Sequence, residues 1–147
     1  MTKAPRAQNY ANHRKFVPGY HYVASILLLV NFVYRAYLTA TAFSLDSVMG
    51  LLLAIALVLI GFYARYFPLG VQDRIIRAEE RLRLRDLLPP EEWGSVDRLT
   101  TTQLIGLRFA SDGEAAALVE TVVREGIRDG EEIKKRVTNW RADHERI

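Results

Sequence analysis

Few side chains in this chain have the type and spacing that chemistry requires. There are three histidines and no cysteine, so disulfides, thiolate metal sites and thiol nucleophiles are ruled out, and the compartment is left open. His13 and His21 stand eight residues apart, outside the i,i+4 spacing that sets two imidazoles on one helical face. His144 lies beside Asp143 and Glu145 close to the end of the sequence. Gly106, Gly113, Gly126 and Gly130 never approach the spacing of a phosphate-cradling loop, and no serine has a histidine and an acid at a telling interval. The sequence therefore points away from an enzyme, and no metal or cofactor is expected. Lys134-Lys135-Arg136 with Arg141, on the last of several short helices, imitates a helix-turn-helix. Residues 91–147 nevertheless carry nine basic and twelve acidic groups, where a reader of nucleic acid needs a basic footprint.

The costliest residues to place are Asn31 and Arg35, four apart and on one helical face. They sit inside an apolar stretch, Gly19 to Phe43, which is followed after a very short linker by a second, Ser47 to Phe67. Each approaches the ~20 residues a helix needs to cross a bilayer, and so short a linker predicts an antiparallel transmembrane hairpin. A cation at bilayer depth costs about 2.5–3.5 kcal/mol. Arg35 either snorkels outward or meets a polar contact: Asn31, a tyrosine hydroxyl, a backbone carbonyl, Asp46, or a group on another subunit. Ala40-Thr41-Ala42 mimics a signal-peptide cleavage site. The long first stretch and the second span immediately behind it favour an uncleaved helix.

In the second span Ser47, Gly50, Ala54 and Gly61 fall along one stripe, a pattern that lets helix backbones approach in lipid. It is expected to face the first helix, or a second copy of the chain. Aromatic residues mark both boundaries: Phe16, Tyr20, Tyr22, Tyr63, Tyr66 and Phe67 on one side, Tyr34, Tyr37 and Phe43 towards the other. Residues 1–18 hold Lys3, Arg6, Arg14 and Lys15 without an acid. On the positive-inside rule, that tail and both termini are expected in the cytoplasm, with Asp46 outside.

Four segments follow: a basic cytoplasmic tail over 1–18, the hairpin over 19–67, an amphipathic juxtamembrane helix over 68–90 and a cytoplasmic helical domain over 91–147. The expected fold is all-α. Pro68 and Gly70 are expected to interrupt the second span, with a new helix from Val71 to Leu88. On it Arg74, Arg77, Arg81 and Arg85 form a stripe suited to anionic lipid headgroups, unless Asp73 to Arg77 and Glu79 to Arg83 pairs solvate it. Short helices follow, from Glu91 to Leu99 and from Thr101 or Thr102 through Phe109. Capping boxes are expected at Ser111 with Glu114 and at Asp129 with Glu132, the latter opening a face of Ile133, Val137 and Trp140.

Motifs near both ends carry a resemblance. Gln8-Asn9-Tyr10-Ala11-Asn12-His13-Arg14 with Phe16-Val17-Pro18, Gln72-Asp73-Arg74, Leu99-Thr100-Thr101 with Gln103-Leu104-Ile105, Phe109-Ala110-Ser111-Asp112, and Glu132-Ile133-Lys134-Lys135 with Asn139-Trp140-Arg141 resemble a family of small bacterial membrane proteins of unknown function. The resemblance implies two inner-membrane helices and a cytoplasmic helical tail, and assigns no reaction and no site residues. The expected role is a non-enzymatic membrane protein presenting a helical interaction module to membrane lipid, to a protein partner or to a second copy of itself. The alternative is a subunit of a membrane complex or transporter in which the hairpin itself is functional.

Overall fold

The computed structural model describes residues 7–13 and 15–143, so the expectations resting on Lys3, Arg6, Arg14, His144 and Glu145 lie outside the described residues. The chain is all-helical, with one isolated β-bridge, Ala110 to Trp140, among the described residues. A π-helical turn, Gly19–Ala24, leads into α1 (Ser25–Thr41). Then come α2 (Leu45–Leu87), a 3₁₀ turn (Pro90–Glu92), α3 (Trp93–Arg98), α4 (Thr101–Leu107), α5 (Asp112–Arg124) and α6 (Gly130–Arg136). The chain divides into two compact units: Phe16–Leu69, and residues 7–13 and 15 together with 70–143.

In the first unit, two helices are long and apolar enough to cross a membrane: the 23 residues Gly19–Thr41, and the apolar part of α2. No residue of α1 is buried, and Leu27, Leu29, Val30 and Val33 are each more than half exposed. Ser44 and Ser47 fix the start of α2. Each hydroxyl accepts from the other residue's backbone N–H, at 3.1 and 2.9 Å, and Ser47 Oγ also donates to the Ser44 carbonyl at 2.8 Å. This satisfies N–H groups that a helix start otherwise leaves open.

The expected break at Pro68 and Gly70 does not occur: α2 runs through both without interruption. A proline inside a helix removes one N–H and crowds the preceding turn, at about 3 kcal/mol. That cost is local. Beyond it α2 gains the burial of Ile76 and Leu84, with Leu88 buried just past its end, which favours continuing the helix over breaking it.

The second unit has an apolar core of Leu84, Val96, Leu104, Leu107, Phe109, Val119, Val122 and Ile133, each at most 2% exposed. Helix α5 supplies Ala115, Leu118, Val119 and Val122, the i, i+3, i+4, i+7 spacing of one buried face. Helices α4 and α6 meet through glycine. A Cβ on Gly106 would lie 2.9 Å from Ile133 Cβ and 3.0 Å from the Gly130 carbonyl, and one on Gly130 would lie 2.9 Å from the Thr102 carbonyl. Backbone cannot yield as a side-chain tip can, so Gly130→Ala is expected to destabilise this unit by about 1–3 kcal/mol. Thermal denaturation checks this, and an unchanged melting temperature would refute so close an approach.

The caps differ from expectation in ways that shape the unit. The reciprocal box is at Thr100 and Gln103: Gln103 N–H donates to Thr100 Oγ1 at 3.3 Å and Thr100 N–H to Gln103 Oε1 at 2.8 Å. Ser111 occupies the N-cap position without a side-chain bond. The Glu114 carboxylate instead accepts from Thr138 N–H (3.3 Å) and Asn139 N–H (3.1 Å). This anchors the chain just after α6, so the helix stops at Arg136 and Val137 turns extended. The backbone then pairs with the α4–α5 connection, Ser111 N–H to Asn139 O at 2.9 Å and Arg141 N–H to Phe109 O at 2.8 Å. Trp140 thus reaches the core from an extended segment, not from the expected helical face. Asp129 caps α6 through Glu131 N–H at 3.0 Å, while Glu132 pairs with Arg136 at 3.0 Å and closes no box.

Candidate functional site

Two constellations stand out, one in each unit. In the apolar unit Arg35 is half-buried and its guanidinium lies over Gly50, where a Cβ would come within 2.8 Å of Arg35 Nη1 and 3.2 Å of Cδ. Gly50 is therefore the notch that receives the arginine. The other stripe residues have separate tasks. Ser47 is buried as a cap, and Ala54 is 1% exposed. At Gly61 an added Cβ would lie 2.9 Å from Leu28 Cδ1, and its carbonyl accepts from the Tyr20 hydroxyl. Thr39 Oγ1 lies 2.9 Å from the Arg35 carbonyl and 3.0 Å from that of Ser47. Asn31, one turn before Arg35, is half-buried, and Asp46 is exposed. Among the described residues Arg35 forms no ion pair with Asp46 or any other acid.

In the second unit, the structure splits the arginine stripe of α2. Arg81 Nη2 donates to the Asp97 carbonyl at 3.1 Å. Arg85 grips both Asp97 carboxylate oxygens at 2.7 and 2.8 Å, its guanidinium 5.7 Å from the Trp93 ring. Both residues are thus engaged by the protein, which leaves Arg74 and Arg77 as the exposed members of the stripe. Arg83 pairs with Glu80 at 2.8 Å rather than with the expected Glu79. It also reaches Asp112 (2.8 Å) and the Ala110 carbonyl (2.7 Å), while Arg141 takes the other Glu80 oxygen at 3.2 Å. Glu80 is 5% exposed, and two arginines offset the cost of burying it. The Arg83 hydrogen bond and charge hold the Asp112 carboxyl below its ordinary range.

The second constellation surrounds Phe109 and is one the sequence did not reveal. The segment before the first apolar helix folds back onto this unit. Asn9 and Asn12 tie it into a turn, with Asn9 N–H on Asn12 Oδ1 at 2.7 Å and Ala11 N–H on Asn9 Oδ1 at 2.9 Å. The Gln8 side-chain amide pairs both ways with the Asp143 backbone, accepting at 2.7 Å and donating at 3.3 Å. His13 is 4% exposed, with ring centroids 5.6 Å from Phe109 and 5.9 Å from Trp140 and Nδ1 2.7 Å from the Tyr10 carbonyl. Two buried cations face the Phe109 ring: Arg108 at 4.5 Å, neutralised by Asp143 at 3.2 Å, and Lys134 at 5.7 Å, neutralised by Glu131 at 2.7 Å. Lys135 reaches the Tyr10 ring at 5.8 Å. Buried cations strengthen their hold on the Phe109 ring, and His13 packed on Phe109 and Trp140, with Gln8 paired to Asp143, makes the cluster a latch that seats residues 7–13. Among the described residues no three metal-ligating side chains are grouped to hold an ion.

The latch carries a pH signature. The Lys134 hydrogen bond, with lesser help from its charge and from Tyr10 and His13, holds the Glu131 carboxyl below its ordinary range. A depressed carboxylate stabilises the fold above its unfolded pKa, near 4.3, and loses that contribution as pH falls through the lower folded value. Acid titration followed by NMR of Tyr10 is expected to show the segment loosening below about pH 4.3. In Glu131→Gln this acid limb should be absent.

No curated protein and no solved structure matches the chain. The sequence model of a family of unknown function, DUF6526, matches residues 4–147. The chain belongs to that family.

Proposed function

We propose that this chain is an integral protein of the bacterial inner membrane, a two-helix hairpin carrying a cytoplasmic helical interaction unit, with both termini on the cytoplasmic side. The observation that carries the reading is the packing of residues 7–13 with residues 70–143 in one compact unit. Chain entering the first apolar helix and chain leaving the second pack into the same unit, which supports a hairpin whose two ends share one side of the membrane. The exposed apolar surface of α1 supports a lipid environment, because in water it would be left unburied. The basic tail and exposed Arg74 and Arg77 support the cytoplasmic, anionic-lipid side. On this reading the unit is an interaction module, and the pairing of its buried Glu80, Arg108 and Lys134 within the unit supports a structural role for those charges. The test is exchange of residues 16–69 for an unrelated two-span hairpin. The captured membrane partners should survive the exchange, and their loss would overturn the anchor role.

One observation favours a second reading, an oligomeric or accessory subunit in which the hairpin is functional: Arg35 lies in the Gly50 notch and pairs with no acid among the described residues. On this reading Arg35→Leu should weaken self-association or partner retention by about 0.6 kcal/mol, the average for interhelical polar contacts in membranes, with only partial rescue by Arg35→Lys. Unchanged assembly at matched expression, read by crosslinking in the native membrane, would leave the hairpin as a plain anchor.

A further inference from the structure

The second unit contains a pocket of about 160 Å3 between α3 and the end of α5, with Leu99, Val122 and Val123 as its apolar lining and Arg98 and Arg128 as its charges. Among the described residues no carboxylate lines it. The other arginines from Arg81 to Arg141 are engaged: Arg83, Arg85, Arg108, Arg124, Arg136 and Arg141 by carboxylates, and Arg81 by the Asp97 carbonyl. Arg98 donates only to Ser95 Oγ, at 3.1 Å, and Arg128 has no side-chain partner among the described residues. The adjacent acids do not serve them, since Asp97 is taken by Arg85 and Asp129 caps α6. Nor do the arginines complete the end of α5, whose Thr121, Val122 and Val123 carbonyls already accept from Glu125, Ile127 and Gly126.

We propose that this pocket binds a small organic oxyanion, a phosphate or carboxylate carrying a short apolar body. Two guanidinium forks match the paired oxygens of such a group, and the aliphatic lining takes the body. The volume is below the 300–1,000 Å3 of drug-sized sites, which limits the ligand to a small molecule or a lipid headgroup. The site is independent of the helix pair and of the latch.

The experiment uses the full chain in a maltoside detergent, with phenyl phosphate as probe and NMR of the arginine side chains and of Gly126 as readout. Saturable shifts at Arg98, Arg128 and Gly126 are expected. Arg98→Gln and Arg128→Gln should each weaken binding about tenfold, with unchanged melting, whereas Arg124→Gln, at an arginine already paired with Glu120, should not. Nanodiscs containing phosphatidylglycerol form a second arm. The same shifts without probe identify a lipid headgroup as the source, and their absence, with phenyl phosphate still binding, identifies a free small molecule. Absence of saturable shifts in both arms, or equal weakening by Arg124→Gln, would overturn the proposal.

Discussion

Phe109→Ala is expected to cost the helical unit about 3–5 kcal/mol and to free residues 7–13 from it. Phe109 is fully buried, and its ring is the common surface for His13, Trp140, Arg108 and Lys134. Truncation leaves a cavity and also deprives two buried cations of the face they rest on. With domains stable by only about 5–15 kcal/mol, a loss of this size is a large share of the total. Denaturant unfolding measures the cost, and limited proteolysis within residues 7–13 reports the release. A protected segment in a folded variant would show that the Gln8 to Asp143 pairing holds it without the ring.

Leu84→Ala should have a comparable effect, about 2–5 kcal/mol. Leu84 is the fully buried contribution of α2 to the core, between Glu80 and Leu88 on the same face. The variant is expected to loosen the end of α2 while leaving the apolar stretch before Pro68 helical. Hydrogen exchange along α2 should therefore show lost protection after Gly70 and none before it. Uniform loss over the whole helix would contradict the division into two units.

The sequence was legible where one strong local signal decides the outcome. Two twenty-residue apolar runs, with short capped segments behind them, pointed to an all-helical chain with two helices long enough for a bilayer. It misled where a local rule met a tertiary reward. Pro68 reads as a helix stop, but burial of Ile76 and Leu84 carries the helix past it. Ser111 with Glu114 reads as a capping box, but the Glu114 carboxylate is drawn off by Thr138 and Asn139, neighbours only in space.

The candidate sites were less legible, because both depend on what a residue faces. Asn31 and Arg35 are conspicuous as polar residues in an apolar run. Gly50 as the arginine's notch is not, since a missing side chain leaves no mark in the sequence. In the Arg74, Arg77, Arg81 and Arg85 stripe, helical spacing is shared, but only the fold sets Asp97 before the last two. The latch left one readable trace: the uncharged Gln8-Asn9-Tyr10 run inside a basic tail, unneeded for a segment that only meets headgroups.

The central claim is that both ends of the apolar helix pair lie on one side of a membrane. The chain has no cysteine, so single cysteines introduced at Ala11, Asp46 and Arg124, all exposed, can be labelled with a membrane-impermeant maleimide in intact spheroplasts and in inverted vesicles. The account predicts that the residue 11 and 124 variants label only in inverted vesicles and the residue 46 variant only in spheroplasts. Labelling of residues 11 and 124 from opposite faces would contradict it.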